Sequence, residues 1–439
     1  MKRLLFISHR VPYPPDKGER IRSFHEIRAL SEHFQVTLAS LSLDESETQA
    51  AEALKTWCQT ILIAPTTRTR ALVRGALAVL RGRSATQGFY QSNRLLRMIL
   101  AEAARKPFDL TLVCSSAMAP CLWQIPCPAR VTDLVDVDSA KWTAYARELS
   151  QPRHWLYTRE ADEVASLEQE ACRLSDAVVV VTGSEAVLLG NARGRRCPLP
   201  MTQEMRDKIK AVGNGVDCEY FDLSAVEPAH IENTRGQNAH ATLVFTGTMD
   251  YRPNVQAVCW FVKNVWPGLK REAPELCFLI VGRQPTREVR RLAQIPGIHV
   301  TGTVADVRPY LAAASVAVFP LQMSPGIPNK LLEALAAGRP TVASPCAIEG
   351  LDLQVGQHLL QAQTPDQWRH QVLALLADAT RREQLGRQGR LQVREHFTWE
   401  QQLAPLVELC RNLCANAEDR GQASVREASS LLPTGASQC

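Results

Sequence analysis

Short apolar runs rich in Val, Ile and Leu alternate along the chain with longer segments whose apolar residues return at helical spacing. The short runs suit strands of a parallel sheet covered on both faces, and the longer ones suit the helices that cover it. In the first half, strands are expected over residues 2–8, 36–43, 61–64, 110–115, 130–135 and 177–182, with a short one over 210–212. The loop after the first carries Pro12, Pro14 and Pro15 and cannot be helical. Residues 19–32 then place Ile21, Phe24, Ile27 and Leu30 along one helical stripe.

After a polar stretch over 232–240 the alternation restarts. Strands are expected over 242–245, 277–281, 299–301, 316–319 and 340–343, and helices over 254–270, 287–293, 307–313, 329–337 and 365–376. Residues 399–416 read as a last amphipathic helix, and 417–439, with Gly, Ser, Ala and Asp, as a disordered tail. The fold class expected is α/β, with two Rossmann-like doubly wound parallel-sheet domains facing an interdomain cleft. Ligands then gather at the carboxyl ends of the strands. The first domain is assigned 1–212 and the second 213–396; a helix over 397–416 returns to the first, and 417–439 is the tail.

Composition narrows the class. A chain of 439 residues, 45% hydrophobic and 22% charged, is ordinary globular protein with room for two or three domains. A net charge of +5 does not argue for nucleic acid. Thirteen scattered cysteines without a CxxC pair speak against structural zinc and for reduced thiols in a cytosol. The start has a four-residue apolar run, Leu4–Ile7, where a secretory signal needs roughly 7–15 residues. Two uncharged stretches, 110–129 and 309–329, are broken by Pro120, Pro126 and Pro128 and by Pro309, Pro320, Pro325 and Pro328. Neither suits a spanning helix. The expectation is a soluble cytoplasmic protein, peripheral at most on the inner face of the membrane.

The most specific local signal is the run from Gly326-Ile327-Pro328-Asn329-Lys330 through Glu333 to Gly338-Arg339-Pro340. It reads as a Gly/Pro loop, a helix ended by Gly338, and a strand. A helix start offers free N–H groups and a positive dipole end to an anion, and Lys330 adds a cation there. Glu333, one turn in, can accept hydrogen bonds from two vicinal hydroxyls; alone, both residues read equally well as solvated helix positions.

Taken together, several segments resemble the GT-B glycosyltransferases of family four. They are Leu331 to Ser344, Val244-Phe245-Thr246-Gly247, Val281-Gly282-Arg283 and Gly213-Asn214-Gly215-Val216-Asp217. Three more resemble one branch of that family, the sugar transferases associated with exosortase (PEP-CTERM) exopolysaccharide systems: Ile7-Ser8-His9-Arg10 through Gly18-Glu19-Arg20, Asp136-Val137-Asp138-Ser139-Ala140-Lys141-Trp142, and Phe245 to Asn254. The resemblance spans about residues 2–400. It implies a retaining, hexosyltransferase-like enzyme that moves a sugar from a nucleotide-sugar donor, bound by the second domain, to a glycan or polyprenyl-linked acceptor on the first.

Glu333 matches the second glutamate of the family's Glu-x7-Glu motif, the ribose ligand; the first falls on Pro325. The family's Arg and Lys after the first strand's glycine are replaced by Thr248 and Pro253. The donor diphosphate is therefore assigned to Lys330, Arg283 and Arg252, with Gly247, Gly326 and Asn329 supplying backbone and loop, and Gly18 matching the family's glycine loop. Gly18 alone also reads as a simple turn into a helix. Cations and helix starts aimed at the leaving diphosphate stabilise its developing charge. No cofactor is expected, and no metal, since the DxD spelling of Asp136 and Asp138 falls in the acceptor half.

Asp136 and Asp138 follow a strand's carboxyl end and are the catalytic candidates, to orient an acceptor hydroxyl or take its proton. The competing reading is a helix cap by Asp138 or Ser139. His9 reads as structural. Between Arg68 and Lys106 nine basic residues interleave with Leu72, Val73, Leu77, Leu80 and other apolar ones, opposed by Glu102 alone. Such a segment suits an anionic membrane surface or an ordinary helical pair with a solvated Arg face. Rival functions are a non-catalytic GT-B scaffold subunit and a nucleotide-sugar epimerase or hydrolase.

Overall fold

Strands form at each of the expected apolar runs in the computed structural model, which describes residues 1–16, 18–230, 241–323 and 326–430. The chain divides into two units, Met1–Val212 with the chain from Leu403 on, and Gly213–Gln402. In the first unit β1 (Lys2–Ser8), β2 (Phe34–Ser42), β3 (Thr60–Pro65), β4 (Leu110–Cys114), β5 (Ala129–Val135), β6 (Ala177–Val180) and β7 (Ile209–Ala211) form one sheet. Their order is β3-β2-β1-β4-β5-β6-β7, and every pairing is parallel. Leu4 stands beside Val36 on one side and Leu110 on the other. Leu4, Leu5, Phe6 and Ile7 are all fully buried, which is why the run shows no polar alternation.

The second unit repeats the plan. Strands β8 (Thr242–Thr246), β9 (Cys277–Val281), β10 (Ile298–Gly302), β11 (Val316–Phe319), β12 (Thr341–Ala343) and β13 (Leu360–Gln361) are ordered β10-β9-β8-β11-β12-β13. In both sheets the order reverses beside the first strand, at β1/β4 and at β8/β11. A ligand crevice opens at such a reversal, outside the strands' carboxyl ends.

Two expectations need correction. The helix expected over 254–270 is two helices, Arg252–Asn264 and Trp266–Glu272. Pro267 sits in the first turn of the second, where its missing N–H costs nothing, whereas inside one long helix it would break the ladder. The tail expected to be disordered from 417 instead continues the last helix, which runs Trp399–Ser430. Buried Cys410 and Cys414 anchor it, and Glu418 pairs with Lys2 on β1. Residues 431–439, like Pro325, lie outside the described residues.

The first unit encloses a cluster of charge. Arg22, on the helix Gly18–Ser31, is fully buried with Glu26 and Asp133. Its Nε donates to Asp133 Oδ2 at 2.8 Å and its Nη1 to the Val212 carbonyl at 3.0 Å. Glu26 Oε1 lies 2.9 Å from Nε, and the Cys114 thiol donates to Glu26 Oε2 at 3.3 Å. Burial pushes the Glu26 carboxyl well above its usual value, Asp133 adds to the rise, and Arg22 opposes it. One guanidinium thus ties the first helix to β5 and to Val212, where the chain leaves the unit. Replacing Arg22 with Ala leaves two buried acids without their cation and should destabilise the protein by about 3–5 kcal/mol, measured by urea denaturation.

Candidate functional site

In the second unit the carboxyl ends of β8 and β9 touch through glycine backbone. A Cβ on Gly282 would lie 1.7 Å from the Gly247 carbonyl oxygen, and one on Gly247 would lie 2.7 Å from Asn254 Nδ2. Gly247 N donates to the Val281 carbonyl at 3.0 Å, and Met249 N to the Arg283 carbonyl at 2.8 Å. That turn delivers the chain into the helix Arg252–Asn264, which begins without a side-chain cap. Arg252 is its first residue, half-buried like Arg283.

Asn254, buried in the first turn, donates through Nδ2 to the Thr248 carbonyl at 2.9 Å and accepts at Oδ1 from Lys330 Nζ. Lys330 also stands over the Phe245 ring, 5.1 Å from its centre. It belongs to the helix Asn329–Ala336, which again starts without a side-chain cap. Two helix starts without side-chain caps and one lysine therefore meet at the end of β8, although in the first Pro253 has no N–H and Asn254 N already bonds the Tyr251 carbonyl at 2.9 Å. Each start carries positive partial charge, so the place favours an anion with several oxygens.

The surrounding residues tune this place. Gly326, buried, takes φ +66°, a left-handed conformation that glycine adopts without penalty. Asn329, first in its helix, accepts at Oδ1 from Asn214 Nδ2 at 3.0 Å. Burial lowers the Lys330 amine to about 8, against the opposing pull of Glu333. Burial raises the Glu333 carboxyl to about 7, with Lys330 opposing. A polyanion beside Lys330 would draw its amine back toward the usual value, since an opposite charge favours the ammonium.

The charge of Glu333 also reaches Tyr220, whose hydroxyl donates to Asp306 Oδ1 at 3.3 Å. Arg308 lies over the Tyr220 ring at 4.0 Å and donates to the Tyr220 carbonyl at 3.1 Å. The sequence reading did not single out this trio. Tyr220 and Asp306 stand 86 positions apart, and no local pattern links them.

In the first unit Gly18 opens its helix with empty space around it: a Cβ there meets nothing within 4 Å. The turn itself does not need glycine. Asp136 and Asp138 follow β5, after Val135 at φ +65°. Asp138 is the first residue of the helix Asp138–Arg147; it accepts from Lys141 Nζ at 2.5 Å and from Ser116 Oγ at 3.2 Å. It is not the cap, and neither is Ser139. The Glu168 carboxylate takes the Ser139 N–H at 3.0 Å and its hydroxyl, and Glu185 takes the Val137 N–H at 2.5 Å.

Four carboxyls thus crowd one turn. Burial lifts Asp136 to about 7, Glu185 and Asp138 adding to the rise while Lys141 opposes it. Burial likewise lifts Glu168 to about 8, against its hydrogen bonds from Ser139. An acid poised near neutrality can give or take a proton in a reaction at that pH. Among the described residues no group of three or more His, Cys, Asp and Glu is arranged to hold a metal ion.

Residues 240–378 match the family described as glycosyl transferases group 1, so the second unit carries a glycosyltransferase group 1 domain. No curated protein matches the chain. Among solved structures, sucrose-phosphate synthase from Thermosynechococcus elongatus aligns at TM-score 0.68 and 16% identity, over 95% of this chain and 100% of that one. Anabaena Alr3699/HepE in complex with UDP-glucose aligns at 0.60 and 14%, over 92% and 99%. An alpha,alpha-trehalose-phosphate synthase (UDP-forming) from Burkholderia vietnamiensis aligns at 0.59 and 14%, over 95% and 98%. The fold is GT-B, two Rossmann-like parallel-sheet domains.

The raised carboxyls carry a stability signature. Glu168 holds its proton to higher pH folded than unfolded, so its contribution is full below about pH 4.5 and is lost as pH rises through about 8. Glu168→Gln removes this loss. The stability of the variant relative to the parent should rise between pH 5 and pH 8, by up to about 1.4 kcal/mol per pH unit, in denaturant titrations across that range.

Proposed function

We propose that the protein is a retaining glycosyltransferase that moves a sugar from a nucleotide-diphosphate donor to a glycan or polyprenyl-linked acceptor in exopolysaccharide assembly, as the exosortase-associated transferases it resembles are expected to do. The observation that carries the donor half is the convergence of Lys330 with two uncapped helix starts through Asn254. Departure of the sugar leaves charge on the diphosphate while the ring becomes oxocarbenium-like. Fixed N–H dipoles and a lysine act there without reorganising, which is where electrostatic catalysis is most effective.

The remaining residues take roles around that centre. Glu333, three residues after Lys330 on the same helix, accepts the ribose hydroxyls, and its raised affinity for a proton falls away once it has donors to satisfy it. Arg283 and Arg252, at the ends of the same glycine-linked turn, add charge near the diphosphate. On the other unit Asp136, near neutrality, receives or positions the acceptor hydroxyl, while Asp138 is held by Lys141 and orients the turn. Uridine is the base to test first, because Alr3699/HepE, which shares the fold, is described with UDP-glucose.

Thermal unfolding with UDP, GDP, ADP and dTDP tests the reading. A nucleotide at about 100 times its dissociation constant should stabilise the protein by about 2.7 kcal/mol, and Glu333→Ala should lose most of that gain. A folded protein indifferent to all four would instead favour a non-catalytic GT-B subunit.

A further inference from the structure

The helix Arg68–Leu80 is packed with its small side turned inward. Ala71, Gly75 and Ala78 are its buried residues, one to each turn. They meet the helix Ala85–Tyr90 at backbone contact: a Cβ on Gly88 would lie 2.4 Å from Ala78 Cβ and 2.8 Å from the Arg74 carbonyl. The large apolar residues face the other way. Leu72 is 57% exposed, Val73 54%, Leu77 44% and Leu80 82%. Successive residues turn by about 100°, which puts Val73 and Leu80 diametrically opposite the buried stripe with Leu77 beside them. A helix fitted only to its own protein would carry these side chains on the covered face.

The borders of the apolar face are basic. Arg68 and Arg70 flank its start, and Arg81 and Arg83 its end, all exposed. From Thr66 to Ala101 the sequence contains no Asp or Glu. Beside the helix end, Arg159 donates to the carbonyls of Val79 at 3.1 Å and Arg83 at 3.2 Å. Arg159 lies on the helix Arg153–Leu174, and one turn earlier on it Trp155 is 60% exposed, an amphipathic ring of the kind that settles at a membrane interface. Among the described residues no helix is long and apolar enough to cross a membrane.

We propose that this face docks on an anionic lipid surface, with Val73, Leu77 and Leu80 entering the headgroup boundary and Arg68, Arg70, Arg81 and Arg83 meeting lipid phosphates. Charge decides the occupant. A second copy of the chain would bring arginine rows against arginine rows, while an anionic leaflet satisfies both the apolar centre and the basic rim. The long arginine stems lie along the apolar surface and keep their guanidinium groups at phosphate level.

Co-sedimentation of the full chain with phosphatidylglycerol–phosphatidylcholine vesicles, and with phosphatidylcholine alone, tests this. The parent protein should pellet with the anionic vesicles, and its partition should fall as salt rises from about 0.05 to 0.5 M. Val73→Glu with Leu80→Glu, and separately Arg68→Gln with Arg70→Gln, should each lower the partition at least tenfold. These side chains project into solvent, so the unfolding curve and the response to nucleotide should stay as in the parent. A parent protein that remains in the supernatant, or a glutamate variant that binds as well, overturns the proposal. So does a concentration-dependent dimer by light scattering that the glutamate variant abolishes, which assigns the face to a second copy.

Discussion

The second unit hangs on a crossing of two backbones. Gly282 and Gly247 approach so closely that a single β-carbon on Gly282 would sit 1.7 Å from a carbonyl oxygen. That approach brings the ends of β8 and β9 together and fixes the turn through Met249. The turn starts the helix Arg252–Asn264 where Asn254 can hold Lys330. Each later feature of the site depends on this contact: the lysine over Phe245, the second helix start, and the acid one turn further on.

The two units share a strand order and differ in the chemistry at the strand ends. In the second, the available charge is a half-buried lysine among N–H dipoles, its proton affinity lowered by burial. In the first, carboxyls gather after β5, and burial raises theirs. Neither arrangement is the cheapest for stability, since both keep ionisable groups away from water with incomplete compensation. Around Arg22 a buried cation meets two acids and a carbonyl, and its bonds hold β5 to the first helix and to Val212, while burial still lifts the Glu26 carboxyl.

Sequence pattern reached the sheets because parallel strands buried on both faces are nearly continuous apolar runs; Val316–Phe319 and Cys277–Val281 needed no other information. It failed where burial and polarity disagree. The helix Arg153–Leu174 buries Arg159, Glu160, Glu163 and Glu168, so its apolar periodicity is blurred and it went unnoticed, along with the acids that complete the turn at Asp136. The segment from Arg68 was recognisable as basic and amphipathic, but not which side faces in. Close packing of Gly75 and Ala78 against Gly88 decided that, and such contacts have no local signal. The last helix outran its expected end: Ala415, Ala417, Glu418 and Arg420 favour helix, while Asn416, Asp419 and Gly421 are what suggested an earlier stop. Lys330 and Glu333 stood out through their loop and helix, whereas Tyr220, Asp306 and Arg308 came together only on folding.

The claim that a nucleotide diphosphate occupies the meeting point of the two helix starts is tested most directly by a crystal structure with UDP bound. The account predicts the diphosphate in hydrogen-bond contact with Lys330 Nζ and the first N–H groups of the helix Asn329–Ala336, facing the start of the helix Arg252–Asn264, with the ribose hydroxyls on Glu333. An ordered nucleotide bound elsewhere, with its diphosphate out of reach of Lys330 Nζ, would contradict it.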